Sequence, residues 1–269
     1  MLRLVRVSTS AVPLELDGIT PDRLHSLSAA EVAKLPVAHG NRSEPLGDHF
    51  AVTGDPSDGR LDFSGDTTTV RRICAGMAAG DVVVQEGAGS HAGARMTGGS
   101  LLVNADAGDW LGAEMQGGSI LTTGTAGDGC GAAYRGARRG MTGGTINVRG
   151  DVGVECGAAM RRGLILVGGA CGEFAGAGMI AGTLVAGRLG RWAGAGLKRG
   201  TLLAGSVEGL PPGFRHCCDY RPAFLGLLLA ELRRQGYAAD WLTAGVRCFR
   251  GDVLAGGNGE LFLPMADSD

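Results

Sequence analysis

The stretch Gly89-Ser-His-Ala-Gly-Ala-Arg-Met-Thr-Gly-Gly99 returns nineteen residues later as Gly108-Asp-Trp-Leu-Gly-Ala-Glu-Met-Gln-Gly-Gly118. The shared pattern, G-x-x-x-G-A-x-M-x-x-G, recurs at Gly153 to Gly163, at Gly172 to Gly182 and, with Leu197 in place of Met, at Gly190 to Gly200. A further copy opens at Gly127, is interrupted by Tyr134 to Gly140 and closes at Gly144, so the interruption reads as a loop leaving one unit. Met77, Met96, Met115, Met141, Met160, Met179 and then Leu197 follow at steps of 19, 19, 26, 19, 19 and 18. A period that regular means one unit stacked on itself.

Between units lie short β-type runs: Val82 to Val84, Leu101 to Val103, Ile120 to Thr122, Ile146 to Val148, Ile165 to Val167, Leu184 to Ala186 and Leu202 to Ala204. Each is too short to be a helix. β-Branched runs joined by glycine corners at this period predict an all-β fold, a parallel β-helix of about seven coils stacked at the strand spacing of about 4.8 Å, a rod on the order of 34 Å long. Glycine makes up 50 of the 269 residues, well above the roughly 7 per cent of average proteins, and tight corners with positive φ account for it. Collagen is excluded, because there is no strict Gly-x-y triplet and only nine prolines.

Aligned coils turn positions into columns. Val82, Leu101, Ile120, Ile146, Ile165, Leu184 and Leu202 form an aliphatic column assigned to the inside, and the residues two further on agree with it. The residues between them should point outward, yet Val83, Leu102, Leu121, Leu166, Val185 and Leu203 are apolar and only Asn147 is polar. An apolar stripe on an outward face marks either a partner subunit or a surface covered by the chain's own tail.

In the column Ala92, Leu111, Cys130, Cys156, Ala175 and Ala193, the two cysteines read as small buried fillers. His91 shares its column with Trp110, Gly129, Glu155, Phe174 and Trp192 and needs no catalytic role. Basic residues also fall in register. Arg161 and Arg162, then Lys198 and Arg199 two coils on, precede the closing glycine, and the insert adds Arg135, Arg138 and Arg139. These seven are either a solvated edge or a positive strip for an anionic chain or an acidic partner surface.

The repeat spans residues 59 to 206. Residues 1 to 58 read as an N-terminal cap, with strand-like pieces at Leu2 to Val7 and Val12 to Leu16 and a capping-box pattern, Ser28 to Glu31, opening a short helical stretch that ends at Pro36. Residues 207 to 269 read as a C-terminal extension with an apolar helix around Phe224 to Arg234 and a strand at Glu260 to Leu263. Such covers keep terminal coils from exposing open strand edges.

A formal net charge of −2 gives no reason to expect nucleic acid, and the longest apolar run, Ala223 to Ala230, is far short of a membrane span. With no signal-peptide pattern and seven cysteines in no framework spacing, a cytoplasmic location is expected. There is no P-loop, nucleophile elbow or H-E-x-x-H pattern. Adjacent His216, Cys217 and Cys218 lack the second ligand pair of a zinc site, so no catalytic and no metal residues are assigned.

The repeat, with Gly40-Asn41-Arg42, Leu46-Gly47-Asp48-His49-Phe50, Met160-Arg161-Arg162-Gly163 and Arg250-Gly251-Asp252, resembles the C-subunit family of formylmethanofuran dehydrogenase, and most of all the C-subunit of the bacterial formyltransferase/hydrolase complex. The resemblance covers nearly the whole chain. It implies a right-handed parallel β-helix acting as a non-catalytic component, with amidohydrolase-like, molybdopterin-type and formyltransferase subunits as partners holding the metals and pterin. The bacterial complex moves a formyl group from a tetrahydromethanopterin carrier to a methanofuran-like carrier and hydrolyses it to formate; the archaeal one is a tungsten or molybdenum formylmethanofuran dehydrogenase. A composition of 23 Arg to 2 Lys with heavy Ala and Gly use suggests a GC-rich bacterial genome and favours the former. The resemblance also gives the basic strip a candidate ligand, the polyglutamate arm of the carrier. The repeat alone is similar to the C-terminal domain of glutamate synthase as well, a spacer within a longer chain. A free-standing lyase or acyltransferase on a β-helix would need a clustered acid and base or a hexapeptide period, neither of which is present.

Overall fold

The computed structural model of the chain describes residues 1–8, 10–242 and 245–265. The fold is mostly β, and among the described residues its main element is a thirteen-stranded sheet, accompanied by a four-stranded one. Eight strands of the large sheet lie side by side in chain order and pair in parallel: Arg60–Ser64, Asp81–Val84, Ser100–Val103, Ser119–Thr122, Thr145–Val148, Leu164–Cys171, Thr183–Leu189 and Thr201–Val207. Register is uniform, and the aliphatic column reads Leu2, Leu61, Val82, Leu101, Ile120, Ile146, Ile165, Leu184, Leu202, Leu261, each directly opposite the next. All ten are at most 1% exposed. The inward assignment therefore holds and extends beyond the Val82-to-Leu202 column by one rung, Leu261, at the C-terminal end and by two, Leu61 and Leu2, at the N-terminal end.

Each repeat closes two further lines of contact with its neighbours. Ala88, Ala107, Ala126, Val152 and Cys171 form a second row of parallel bridges. A third row comes from the N–H groups of Thr97, Gln116, Thr142, Arg161, Ile180 and Lys198, which donate to the carbonyls of Met77, Met96, Met115, Met141, Met160 and Met179 at 2.7 to 2.9 Å. The signature methionine is thus buried by its side chain and used by its carbonyl, which satisfies backbone groups that a buried turn would otherwise orphan. Four aspartates add a fourth link: Asp106, Asp109, Asp128 and Asp151 each accept, through Oδ1, a backbone N–H of the next unit, from Thr125, Asp128, Val154 and Ala170 at 2.7 to 2.9 Å.

The corners meet the glycine expectation only in part. Four positions per unit take positive φ, as at His91 (66°), Gly93 (63°), Arg95 (57°) and Gly99 (78°), and of these only the middle one of the first three and the closing one are regularly glycine. Steric room decides that. A Cβ on Gly112 would lie 2.5 Å from Ile146 Cδ1, and one on Gly131 2.6 Å from Ile165 Cδ1, whereas the flanking side chains point out. The middle glycine makes space for the core aliphatic of a following coil.

At the N-terminal end, Leu2–Arg6 pairs in parallel with Arg60–Ser64 and antiparallel with Phe50–Gly54, which ends the sheet. Helices α1 (Pro21–Leu24) and α2 (Ala29–Val32) follow, and Ser28 and Glu31 make both bonds of the expected capping box. A hairpin of Pro36–His39 and Arg42–Pro45 belongs to the small sheet. At the other end, Gly259–Pro264 adds in parallel to Thr201–Val207, then pairs antiparallel with Val246–Gly251, which pairs with Arg215–Tyr220. The expected apolar helix is α3 (Leu225–Arg234). No helix among the described residues is long and apolar enough to cross a membrane.

Candidate partner interface

The outward stripe is covered by the chain's own tail along part of its length. Leu166, Val185 and Leu203 are fully buried in a second core with Leu225 and Leu232 of α3, Tyr237, Val246 and Phe262. Tyr237 donates to the Val167 carbonyl at 2.9 Å, Asn147 Nδ2 donates to the Gln235 carbonyl at 2.8 Å, and Arg149 donates to the Gly236 carbonyl. The one polar residue of the stripe thus stands where the tail's cover ends. Beyond it Val83, Leu102 and Leu121 stay half-exposed, and Leu102 and Leu121, with Ser100, Ser119, Thr145, Asn147 and Gln235, line a cleft of about 290 Å³. Asn147 Oδ1 is buried there with no hydrogen-bond partner. Leu227 of α3 is 78% exposed. Burial of apolar side chains is favourable by roughly 25 cal/mol per Å², so this half-covered stripe is chemically suited to an apolar protein surface.

Arg161, Arg162, Lys198 and Arg199 stand in register along the third row of inter-unit bonds. The insert does not leave the coil freely: Ala133 and Gly140 donate to the carbonyls of Ala158 and Ala159, which brings Arg138 and Arg139 beside the unit of Arg161. Tyr134 folds the other way, its hydroxyl hydrogen-bonded to His91 Nδ1 at 3.0 Å and its ring 5.2 Å from that of Trp110 and under Arg95. Arg138, Arg139, Glu114, Gln116 and Thr142 line a cleft of about 420 Å³. Among the described residues, none of Arg135, Arg138, Arg139, Arg161, Arg162, Lys198 and Arg199 has a carboxylate within ion-pair distance. Arg161 Nε is also buried without a hydrogen-bond acceptor.

The cysteines are as expected. Cys130 and Cys156 are fully buried. Hydrogen bonding to Cys156 and burial push the Cys130 thiol well up; Cys156, though a bond with Cys130 acts in the opposite sense, is pushed up by Cys171 and burial. Thiols held neutral in this way are inert. His91, half-buried, takes its column's positive φ and is held below its ordinary pKa by burial and by Arg72. His216 pairs with Asp219 at 2.7 Å.

One cluster is not assigned as a site from sequence, although His49 lies in a stretch that carries the resemblance. His39 at the end of a hairpin strand, Glu44 on the other strand, and His49 after the 3-10 turn Leu46–Asp48 bring three ligand atoms within 4.8 Å of one another. The His39 hydrogen bond, opposed by desolvation and helped by His49, holds the Glu44 carboxyl below the usual range. The spacing H-x₄-E-x₄-H was the available signal.

Scanned against models of protein families, the chain matches none. Among curated proteins it is 36% identical over 87 residues to the C-subunit of a tungsten-containing formylmethanofuran dehydrogenase of Methanothermobacter thermautotrophicus, 31% of this chain and 32% of that protein. It is 39% identical over 84 residues to the C-subunit of a molybdenum-containing enzyme of Methanosarcina barkeri, 30% and 28% of the two chains. The matched stretch spans about a third or less of the length of these relatives. Among solved structures, a chain of the formyltransferase/hydrolase complex of Methylorubrum extorquens, crystallised with methylofuran, superposes with a TM-score of 0.93 at 34% identity, covering 98% of this chain and 100% of that one. The likeness runs end to end, through both terminal covers as well as the repeats, and the chain belongs to the C-subunit family of formylmethanofuran dehydrogenase.

Proposed function

We propose that this chain is the non-catalytic structural subunit of a formyltransferase/hydrolase complex, which transfers a formyl group from a tetrahydromethanopterin carrier to a methanofuran-like carrier and releases formate. The observation that carries this reading is the full-length likeness to the Methylorubrum complex, against a likeness to tungsten and molybdenum subunits confined to about a third of the chain. In this reading the repeats of residues 59–206 wind as a right-handed parallel β-helix, residues 1–58 cap one end, and residues 207–269 form an extension over the other end and part of one face. The rod presents surfaces to amidohydrolase-like, molybdopterin-type and formyltransferase subunits in the cytoplasm, and the reacting groups, metals and carriers lie with those partners.

Two surfaces are assigned to assembly. Val83, Leu102 and Leu121 receive an apolar partner face beside α3, as their half-exposed row continues the stripe the tail covers. The seven cations of the insert and of Arg161, Arg162, Lys198 and Arg199, without an ion-pair partner among the described residues, hold an acidic partner surface or the polyglutamate arm of the carrier. The test is purification of the chain from its own cells, identification of every co-eluting protein by mass spectrometry, and assay of formyl transfer and formate release on that fraction. Formate release without an electron acceptor supports the reading; tungsten- or molybdenum-dependent activity linked to an acceptor overturns it in favour of the dehydrogenase.

A further inference from the structure

We propose that His39, Glu44 and His49 form a binding site for a divalent transition metal, with zinc the fitting ion. The inference concerns the N-terminal cover and stands independently of the reading of the complex. His39 Nδ1 and His49 Nε2 both lie 2.9 Å from one oxygen, Glu44 Oε2, and the two rings meet edge to face with centroids 4.7 Å apart. Around a tetrahedral zinc ion with bonds of 2.0 to 2.1 Å, ligand atoms stand about 3.3 Å apart. Admitting the ion lengthens each of these two contacts by about 0.4 Å and brings the two ring nitrogens, which lie within 4.8 Å of each other, to the same spacing. Two imidazoles and a carboxylate are a zinc donor set, whereas calcium and magnesium call for oxygen cages.

The outer contacts fit as well. A ligating imidazole is normally fixed by an acceptor at its second nitrogen. Here Ser10 Oγ lies 3.0 Å from His39 Nε2 and Ser8 Oγ 3.2 Å from His49 Nδ1. Without metal, both imidazoles donate to Glu44 and can accept from the serines. With metal, each neutral ring moves its proton to the far nitrogen, where the serine oxygen accepts it, and no net proton is released. Both ring states are accommodated by the same five residues.

The frame is rigid and its mouth is open. His49 is held by its N–H, which donates to the Leu46 carbonyl, and by its own carbonyl, which accepts from Val7, while His39 pairs with Arg42 across the hairpin. The His49 side chain is 4% exposed, against 19% for His39 and 27% for Glu44, so water can reach the outer side and fill the fourth coordination position. The ion would staple the strand exit at Ser8 and Ser10 to the hairpin.

The experiment uses the full-length chain, purified with and without chelator and titrated with Zn²⁺ and with Co²⁺ as spectroscopic probe. The expected result is one ion per chain, tetrahedral ligand-field bands with Co²⁺ that Zn²⁺ displaces, and a raised melting temperature with Zn²⁺. His39→Ala, Glu44→Ala and His49→Ala should abolish the bands, Ser10→Ala should weaken affinity about tenfold or more while keeping them, and His25→Ala should change nothing. If the substituted chains fail to fold, the wild-type Co²⁺ spectrum decides alone. A wild-type chain that gives no tetrahedral bands, or folded variants that keep wild-type affinity, would overturn the proposal and leave a hydrogen-bonded clasp.

Discussion

Gly112→Ala is the substitution that tests most sharply how the coils fit together. Its φ of 60° costs a side chain about 1–2 kcal/mol, and the new Cβ lands 2.5 Å from Ile146 Cδ1 and 3.1 Å from Ile120 Cδ1, an overpacking of about 1–3 kcal/mol. The sum is a destabilisation of about 2–5 kcal/mol. Ile146→Val removes the very atom that the added methyl would strike, and alone costs about 0.5–1.5 kcal/mol as a core truncation. If packing against Ile146 is what demands glycine, the double substitution Gly112→Ala with Ile146→Val is more stable than the sum of its parts by about 1–3 kcal/mol. Urea unfolding followed by circular dichroism measures all four chains, with equal m-values required for comparison. Additivity within about 0.5 kcal/mol would refute the steric argument and leave the whole penalty to backbone conformation.

Three further outcomes are expected. Leu102→Glu puts a charge on a half-exposed stripe residue, so it should abolish partner binding in a pull-down while leaving the isolated chain's melting temperature within a few degrees; retained binding removes this face from the interface. Reversing Arg161 and Arg162 to Glu should weaken assembly or carrier binding, with a smaller loss at high salt, and unchanged affinity at low salt disposes of the positive strip. Arg234, with Gln235, holds the Glu231 carboxyl down to about 2 from an ordinary 4.5. Its support of α3 is therefore present above about pH 4.5 and lost as pH falls through about 2, a small effect for so exposed a pair; a carboxyl carbon shift titrating near 4.5 in the native chain contradicts this.

The coils were legible because every nineteen residues repeated the experiment: a column such as Val82 to Leu202 cannot be aliphatic seven times by accident of one site. The rungs of Leu2, Leu61 and Leu261 carry the same register without the glycine and methionine signature, so only the pairing of strands reveals them. For the stripe, sequence could state that Leu166, Val185 and Leu203 need a cover but not that α3 supplies it, since the helix is some twenty residues further along and its docking is a tertiary event. Positive φ at Trp110 or Glu155 was hidden because residue type encodes the preference weakly, whereas the need for glycine at 112 is written by a side chain 34 positions away. Of the candidate site, the basic columns were visible as register, while the clasp of His39, Glu44 and His49 depends on a hairpin and a 3-10 turn that carry no repeat.

The most direct test of the scaffold reading is reconstitution of formate release from the purified partner subunits with and without this chain. The account predicts that partners lacking it fail to assemble at full stoichiometry, that adding the folded chain restores both assembly and formate release, and that the chain alone releases none. Formate release by the isolated chain, or a fully assembled and active complex without it, would contradict the account.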